Sequence, residues 1–143
     1  MPAMFRTPYA VRFADVDNAG IFYYPRFFHA FHVAFEQFWE REAKRPYHRV
    51  IHEDRVGFPS VHIDADFRKP VTFGEPMEIR VGVRRFGRTS VVFRYEMAHT
   101  GTGFVHAAAD VTKVVVDMKT FRPIPLPPPL RAALDRIALP ATA

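Results

Sequence analysis

The sequence predicts an α+β fold in which an antiparallel sheet of about five strands wraps around one long helix. Three observations carry this expectation. Phe28, Phe31, Phe35 and Phe38 recur at helical spacing, with Phe27 and Trp39 widening the apolar stripe. Later segments alternate apolar and polar residues with the period of two that marks strands packed on one face. No internal repeat and no linker divides the 143 residues, so they read as a single domain, residues 1–143. One helix cannot cover both faces of such a sheet. The sheet is therefore expected to curl around the phenylalanine stripe and leave an outer face or edge for a partner subunit.

The elements follow in order. Residues 6–14 read as an opening strand. Asp15-Val16-Asp17-Asn18-Ala19-Gly20 is a cluster of structure breakers and reads as a loop. Pro25 suits the first turn of a helix, which the stripe carries over residues 26–43, with His29, Glu36, Glu40 and Arg41 on the opposite face. Pro46 closes its exit, and residues 47–59 read as polar and irregular. A strand then runs from Val61 to Arg68, where Lys69-Pro70 stops it. A second strand covers residues 77–84 and a third 91–97, joined by the hairpin Phe86-Gly87-Arg88-Thr89, where Gly supplies the positive φ that tight turns need. Thr100-Gly101-Thr102-Gly103 is the next turn, and a final strand covers residues 104–117. The tail from Phe121 holds five prolines in seven residues and is expected to be extended. A short amphipathic helix over residues 130–137 ends the pattern.

Composition narrows the functional classes. The chain is 48% hydrophobic and 24% charged, a globular balance that excludes disorder. No apolar run approaches the roughly 20 residues that span a bilayer, and the first residues lack the apolar core of a secretory signal. There is no cysteine, which excludes disulfide scaffolds, thiolate nucleophiles and cysteine-ligated metals. These points direct the expectation to the cytoplasm and away from membranes. The net charge of +5 suits a polyanion or a phosphorylated ligand, but the basic residues are scattered. Six of the fifteen phenylalanines fall between Phe22 and Phe38, enough for a dense core and for part of an oligomer interface.

Without cysteine, carboxylates are the leading candidates for nucleophilic chemistry. Asp17 stands in a loop just before a helix N-terminus, whose unpaired N–H groups and positive dipole end can hold a developing oxyanion. A carboxylate there can attack an acyl carbon or activate water. Asp-Asn-Ala-Gly is also an ordinary turn sequence, and on the residues alone the turn reading comes first.

The stretch Val11-Arg12-Phe13-Ala14-Asp15-Val16-Asp17-Asn18-Ala19-Gly20-Ile21-Phe22-Tyr23-Tyr24-Pro25 resembles the N-terminal motif of hotdog-fold acyl-CoA thioesterases, nearest the 4-hydroxybenzoyl-CoA thioesterase group. Asp64-Ala65-Asp66-Phe67-Arg68-Lys69-Pro70, the hairpin 86–90 and residues 116–125 are similar to later parts of that family, so the likeness spans most of the chain. The resemblance implies a hotdog fold that hydrolyses acyl-CoA thioesters, with an aromatic acyl group. It implies that Asp17 is the catalytic carboxylate and that Asp15 is structural. It further implies that the Tyr24 backbone N–H binds the thioester carbonyl and that Gly20 lets the loop approach the substrate. Tyr47 and Phe58-Pro59-Ser60 would line the acyl and pantetheine path, and Arg88, with Arg85 nearby, would meet CoA phosphates. No metal or cofactor is implied beyond the CoA of the substrate. A homodimer, paired into a homotetramer, is implied, with Asp17 facing residues 58–60 of the neighbour. This chain departs from many relatives at Pro25, where they carry His, and at His32, where they carry an acidic residue. Gly87 and Thr89 also replace basic residues of the aryl-CoA enzymes.

Other clusters read more plainly. His29, His32 and Glu36 share a helix face that could offer metal ligands, but a solvated or interfacial face is the stronger reading. His62, Asp64 and Asp66 alternate as the polar side of a strand does. Arg68-Lys69 reads as surface, and the proline-rich tail as a segment packed on its own domain. A hotdog hydratase, dehydratase or acyl-binding protein is the nearest rival, and a nucleic-acid-binding sheet with Arg80, Arg84 and Arg94 as its basic stripe is a more distant one.

Overall fold

The computed structural model describes residues 4–141. Its centre is helix α1 (Tyr24–Gln37), continued by a π-helical turn over Phe38–Glu42. Strands β1 (Phe5–Ala10), β3 (Ser60–Phe67), β4 (Pro76–Phe86), β5 (Ser90–His99) and β6 (Val105–Val114) form one antiparallel sheet in the order β1-β4-β5-β6-β3. A two-stranded ribbon pairs β2 (Val56–Gly57) with β7 (Val116–Asp117). Two further helices are α2 (Tyr47–His52) and α3 (Pro128–Asp135). This is the hotdog architecture, a sheet curled about its helix.

The stripe that predicted α1 is the stripe it buries. Phe27, Phe31, Phe35 and Phe38 all face the sheet. Phe31 stacks on Tyr95 with ring centres 5.3 Å apart, and Phe35 meets Phe93 edge-on at 5.1 Å. Such pairs add about 0.5–1.5 kcal/mol each beyond their buried area. The facing positions of β6 are small, Ala107 and Ala109, which lets the helix approach. The π turn, whose Ala43 N–H bonds the Phe38 carbonyl at 3.0 Å, widens the helix so that Phe38 and Trp39 are both buried.

Four elements differ from the sequence expectation. The opening strand ends at Ala10, because the Asp15 carboxylate accepts the Arg12 N–H at 2.9 Å and curls residues 13–15 into a 3₁₀ turn. Residues 47–52, expected to be irregular, form α2 around the buried Val50. The last long strand breaks after Val114: the Val115 N–H turns aside to the Thr89 carbonyl at 2.8 Å, and Val116 and Asp117 pair with β2 instead. The terminal helix begins at Pro128, two residues early, since proline fits a first turn.

The outer face of the sheet is a charge lattice. Arg80 pairs with Glu78 at 2.8 Å, Arg94 with Glu96 at 3.4 Å, and Arg84 with Asp110 at 3.1 Å. The arginines of the basic-stripe reading are thus neutralised in place, which removes the patch a nucleic acid would need. The edge strand β3 is exposed along nearly its whole length, with Val61, Ile63 and Phe67 open to solvent.

Candidate active site

Two carboxylates in one short loop have opposite surroundings. Asp15 is fully buried. One oxygen accepts the Tyr9 hydroxyl at 2.8 Å and the Arg12 N–H at 2.9 Å; the other accepts Arg26 Nε at 3.0 Å and Nη2 at 2.8 Å. Burial alone would raise its pKa, but these donors outweigh burial and hold the carboxyl below its ordinary value. Its carbonyl also accepts the Tyr23 N–H at 2.7 Å, so Asp15 ties the loop to the start of α1.

Asp17 is exposed. Its Oδ1 accepts the Ala19 N–H at 2.9 Å, an Asx turn that fixes the carboxylate direction. The Asp17 N–H reaches the Ile21 carbonyl at 2.9 Å, and the Gly20 N–H reaches the Asp17 carbonyl at 2.9 Å. Gly20 closes the loop at φ +77°, a left-handed conformation that side chains disfavour. Bridges from Val16 to Phe22 and from Ile21 to Thr72 hold the loop against the rest of the domain.

Helix α1 starts at Tyr24, and Pro25 brings no N–H of its own. The Tyr24 N–H has no protein acceptor among the described residues. The Tyr24 side chain is exposed and lies 6.2 Å from the Phe67 ring. Beside it a groove of about 240 Å³ runs between α1 and the end of β3, with Tyr24, Phe27, Phe67, Lys69 and Val71 in its walls.

Asp17 and Gly20 thus share one turn, and that turn leads through residues 21–23 into the start of α1 at Tyr24. The other residues singled out in the sequence are elsewhere in the protomer. Tyr47 and Phe58 pack on Phe35 at 5.2 and 5.7 Å, around the C-terminal half of α1. Burial, and then the nearby Glu36, pushes the Tyr47 hydroxyl up to about 12. Pro59 is exposed, and Ser60 opens β3. Arg85 lies in a hollow on the outer sheet face with Asp64 and Asp110, and Arg88 projects from the β4–β5 hairpin. Pro76, at the near end of β4, pairs with Ala10, the residue that leads to the Asp17 loop; Phe86 at the far end leads to Arg88. The intervening strand sets the two regions roughly 30 Å apart at ~3.3 Å per residue.

A second cavity, of about 60 Å³, lies further along the same helix. It contains a residue that the sequence reading did not select: Lys113, only 4% exposed. Burial lowers its pKa to about 8. The signal was present, since Ala107, Ala109, Val111 and Lys113 share one register and a lysine at its end is out of place. His32 lines the same cavity and pairs with Glu36 at 3.2 Å. Burial, then Lys113, lowers its pKa against the opposing pull of Glu36. His29 does not join them, and no group of three or more His, Asp or Glu side chains gathers in metal-ligating reach among the described residues.

An antiparallel five-stranded sheet about one central helix, with an aspartate loop leading into the helix start, is the arrangement of the hotdog class. Residues 11–134 match the model of the thioesterase-like superfamily, and the chain belongs to that family. It is 24% identical over 124 residues to the 1,4-dihydroxy-2-naphthoyl-CoA hydrolase of Synechocystis, covering 87% of this chain and 89% of the relative. It is 27% identical over 127 residues to the acyl-CoA thioester hydrolase YbgC of Escherichia coli, covering 87% and 90%. A solved gentisyl-coenzyme A thioesterase superposes with a TM-score of 0.78 at 26% identity, covering 89% of this chain and 99% of that one.

Proposed function

We propose that the chain hydrolyses acyl-CoA thioesters at the Asp17 loop, with an aromatic acyl group as the preferred cargo. The observation that carries this is a carboxylate oriented by the Ala19 N–H, in the loop that leads into α1, whose first amide at Tyr24 has no acceptor among the described residues. The thioester carbonyl accepts the Tyr24 N–H, and the helix dipole stabilises the oxygen as it gains charge. Asp17 then acts on the carbonyl carbon. By direct attack it forms a mixed anhydride and expels the CoA thiolate, and water cleaves the anhydride. By drawing a proton from water it delivers hydroxide to the same carbon. Both routes give the free acid and CoA. The buried, saturated Asp15 has no role at the carbon. It positions the loop.

The aromatic preference rests on the groove beside Tyr24, whose walls include Phe27 and Phe67, 5.3 Å apart. Two of the relatives above are named for hydroxylated aromatic acyl groups, which agrees with it.

The distant residues gain a place if two copies pair through β3. That strand is an unpaired edge with apolar side chains exposed, a surface that folded proteins cover. Antiparallel pairing along its eight residues sets Ser60 of one copy opposite Phe67 of the other. The Arg88 hairpin and residues 58–60 of one protomer then lie toward the Asp17 loop of its partner. We assign a homodimer on this basis, with dimers pairing further into a tetramer.

The test is a panel of acyl-CoA esters assayed by release of CoA thiol. Benzoyl-type esters are expected to be cleaved faster than acetyl-CoA, and no thiol release from any ester would overturn the reading. Single turnover in ¹⁸O-water separates the two routes. Direct attack followed by water at the aspartyl carbon of the anhydride leaves the Asp17 oxygen unlabelled in the first product acid and puts the label into Asp17, whereas activated water labels the acid at once and leaves Asp17 unlabelled.

A further inference from the structure

The cavity around Lys113 holds chemistry that cleavage at the Asp17 loop does not use. Lys113 occupies an inward position of β6 where the preceding inward residues are Ala107, Ala109 and Val111. Its Nζ donates to Ser60 Oγ at 3.0 Å and to the Phe58 carbonyl at 3.5 Å, and stands 4.7 Å from the centre of the Phe35 ring. No carboxylate pairs with it among the described residues; Glu36 on the facing helix is engaged by His32. The Tyr95 hydroxyl, also buried and on the cavity wall, has no partner among the described residues. A cation and a hydroxyl so left inside an aromatic core are costly, and groups of this kind concentrate at binding sites.

The cavity neighbours the groove beside Tyr24 across two aromatic rings. The Phe28 ring lies 6.3 Å from Phe67, which walls the groove, and Phe28 also lines the cavity. At ~1.5 Å of rise per residue, the span from Tyr24 to Phe28 and His32 is about 6–12 Å, within reach of a substituted aromatic acyl group. Pairing through β3 also brings the cavity of one copy toward the Tyr24 end of the other. Its volume of about 60 Å³ exceeds the roughly 10–15 Å³ that one water needs on this measure, so a small polar group fits.

We propose that Lys113, with Ser60 and Tyr95, is the specificity-determining end of the acyl pocket, and that it selects an acyl group carrying an anionic oxygen, a carboxylate, at its far end. The inference rests on the thioesterase reading and names the substrate class for that site. A carboxylate gives the ammonium the opposite charge it lacks, and Tyr95 donates a second hydrogen bond. Phe28 and Phe31 flank the ring that joins carboxylate to thioester. A neutral phenol supplies a hydrogen-bond partner but leaves the charge uncompensated.

The test compares kcat/KM for benzoyl-CoA, 4-hydroxybenzoyl-CoA and 4-carboxybenzoyl-CoA in the full-length wild type, in Lys113→Met and in Ser60→Ala. The wild type is expected to favour the carboxylated ester over the unsubstituted one by tenfold or more. Lys113→Met, checked for folding by circular dichroism, should reverse that ratio, chiefly through KM of the carboxylated ester. Ser60→Ala, on the exposed edge strand, should lower the ratio severalfold and keeps the test decisive if Lys113→Met does not fold. Equal rates on the three esters in the wild type would overturn the proposal. So would a preference for the hydroxylated ester, or losses in the variants that are equal on every ester. Cleavage of benzoyl-CoA without a carboxylate preference would sink this inference alone. Failure on all three esters would remove the thioesterase reading and this inference with it.

Discussion

Replacing Lys113 by methionine should make the protein more stable at neutral pH, and the size of the gain follows from its surroundings. Methionine keeps the length and removes the charge. The lysine pKa falls from 10.5 to about 8 because burial penalises the ammonium. A fall of about 2.5 pKa units corresponds to about 3 kcal/mol of cost carried by the charged form in the folded state. Between pH 8 and 10.5 the unfolded chain holds a proton that the folded chain has released, so stability rises with pH across that window. Below pH 8 the whole cost is present. The substitution removes it and loses the bonds to Ser60 and the Phe58 carbonyl and the contact with Phe35, together about 2 kcal/mol. The net gain at pH 7 is about 1 kcal/mol, or a rise in Tm of about 3 °C for a chain of this size. Thermal melts of both proteins at equal protomer concentration, at pH 7 and at pH 10.5, measure it. The advantage should be present at pH 7 and vanish or reverse at pH 10.5. A variant less stable than wild type at pH 7, or a difference that does not change with pH, would refute the assignment of Lys113 as a strained buried cation.

The remaining expectations concern the loop, the nucleotide and the assembly. Asp17→Asn keeps the Asx turn but loses the charge, so kcat should drop by about a thousandfold or more with unchanged circular dichroism. Asp15→Asn should instead cost about 2–3 kcal/mol of stability, below the full cost of splitting a buried pair because Arg26 reaches solvent. The Asp15 carboxyl is depressed in the folded state, so its contribution is complete above the ordinary aspartate range and is lost as pH falls through the folded value; acid melts of wild type and variant should converge there. Arg88→Ala should raise KM for a CoA ester but not for the matching pantetheine ester, with kcat little changed; equal effects on both would separate Arg88 from the nucleotide. Sedimentation at micromolar concentration should show a dimer or a larger even assembly, and a fully active monomer would contradict the pairing through β3.

The parts of the fold legible in the sequence are those whose pattern depends on one neighbour. α1 was readable because its phenylalanines face a single sheet, and β4 and β5 because each buries one side. α2 was missed although Pro46, Tyr47 and Val50 mark a helix start and an inward residue. Six residues are too few for periodicity to stand out from polar neighbours such as His48 and Arg49. The break at Val115 was hidden for the opposite reason. Val114, Val115 and Val116 are equally apolar, and what separates them is a backbone bond to Thr89 made by a distant hairpin.

The site divides in the same way. Asp15, Asp17 and Gly20 are close in sequence, so the loop was legible, but on the residues alone it read as an ordinary turn and the resemblance supplied the roles; the structure distinguishes the aspartates by what each one accepts. Tyr47, Phe58 and Arg88 are remote from Asp17 within one chain, and no pattern in one chain can state whether a second copy would join them. Lys113 lies between these cases. Its register made it visible as a lysine on an apolar face, but burial becomes chemistry only when α1 closes over it and offers Phe35 in place of a carboxylate. A cation buried beside aromatic rings, with no carboxylate paired to it among the described residues, is what the proposed anionic end of the acyl group would account for.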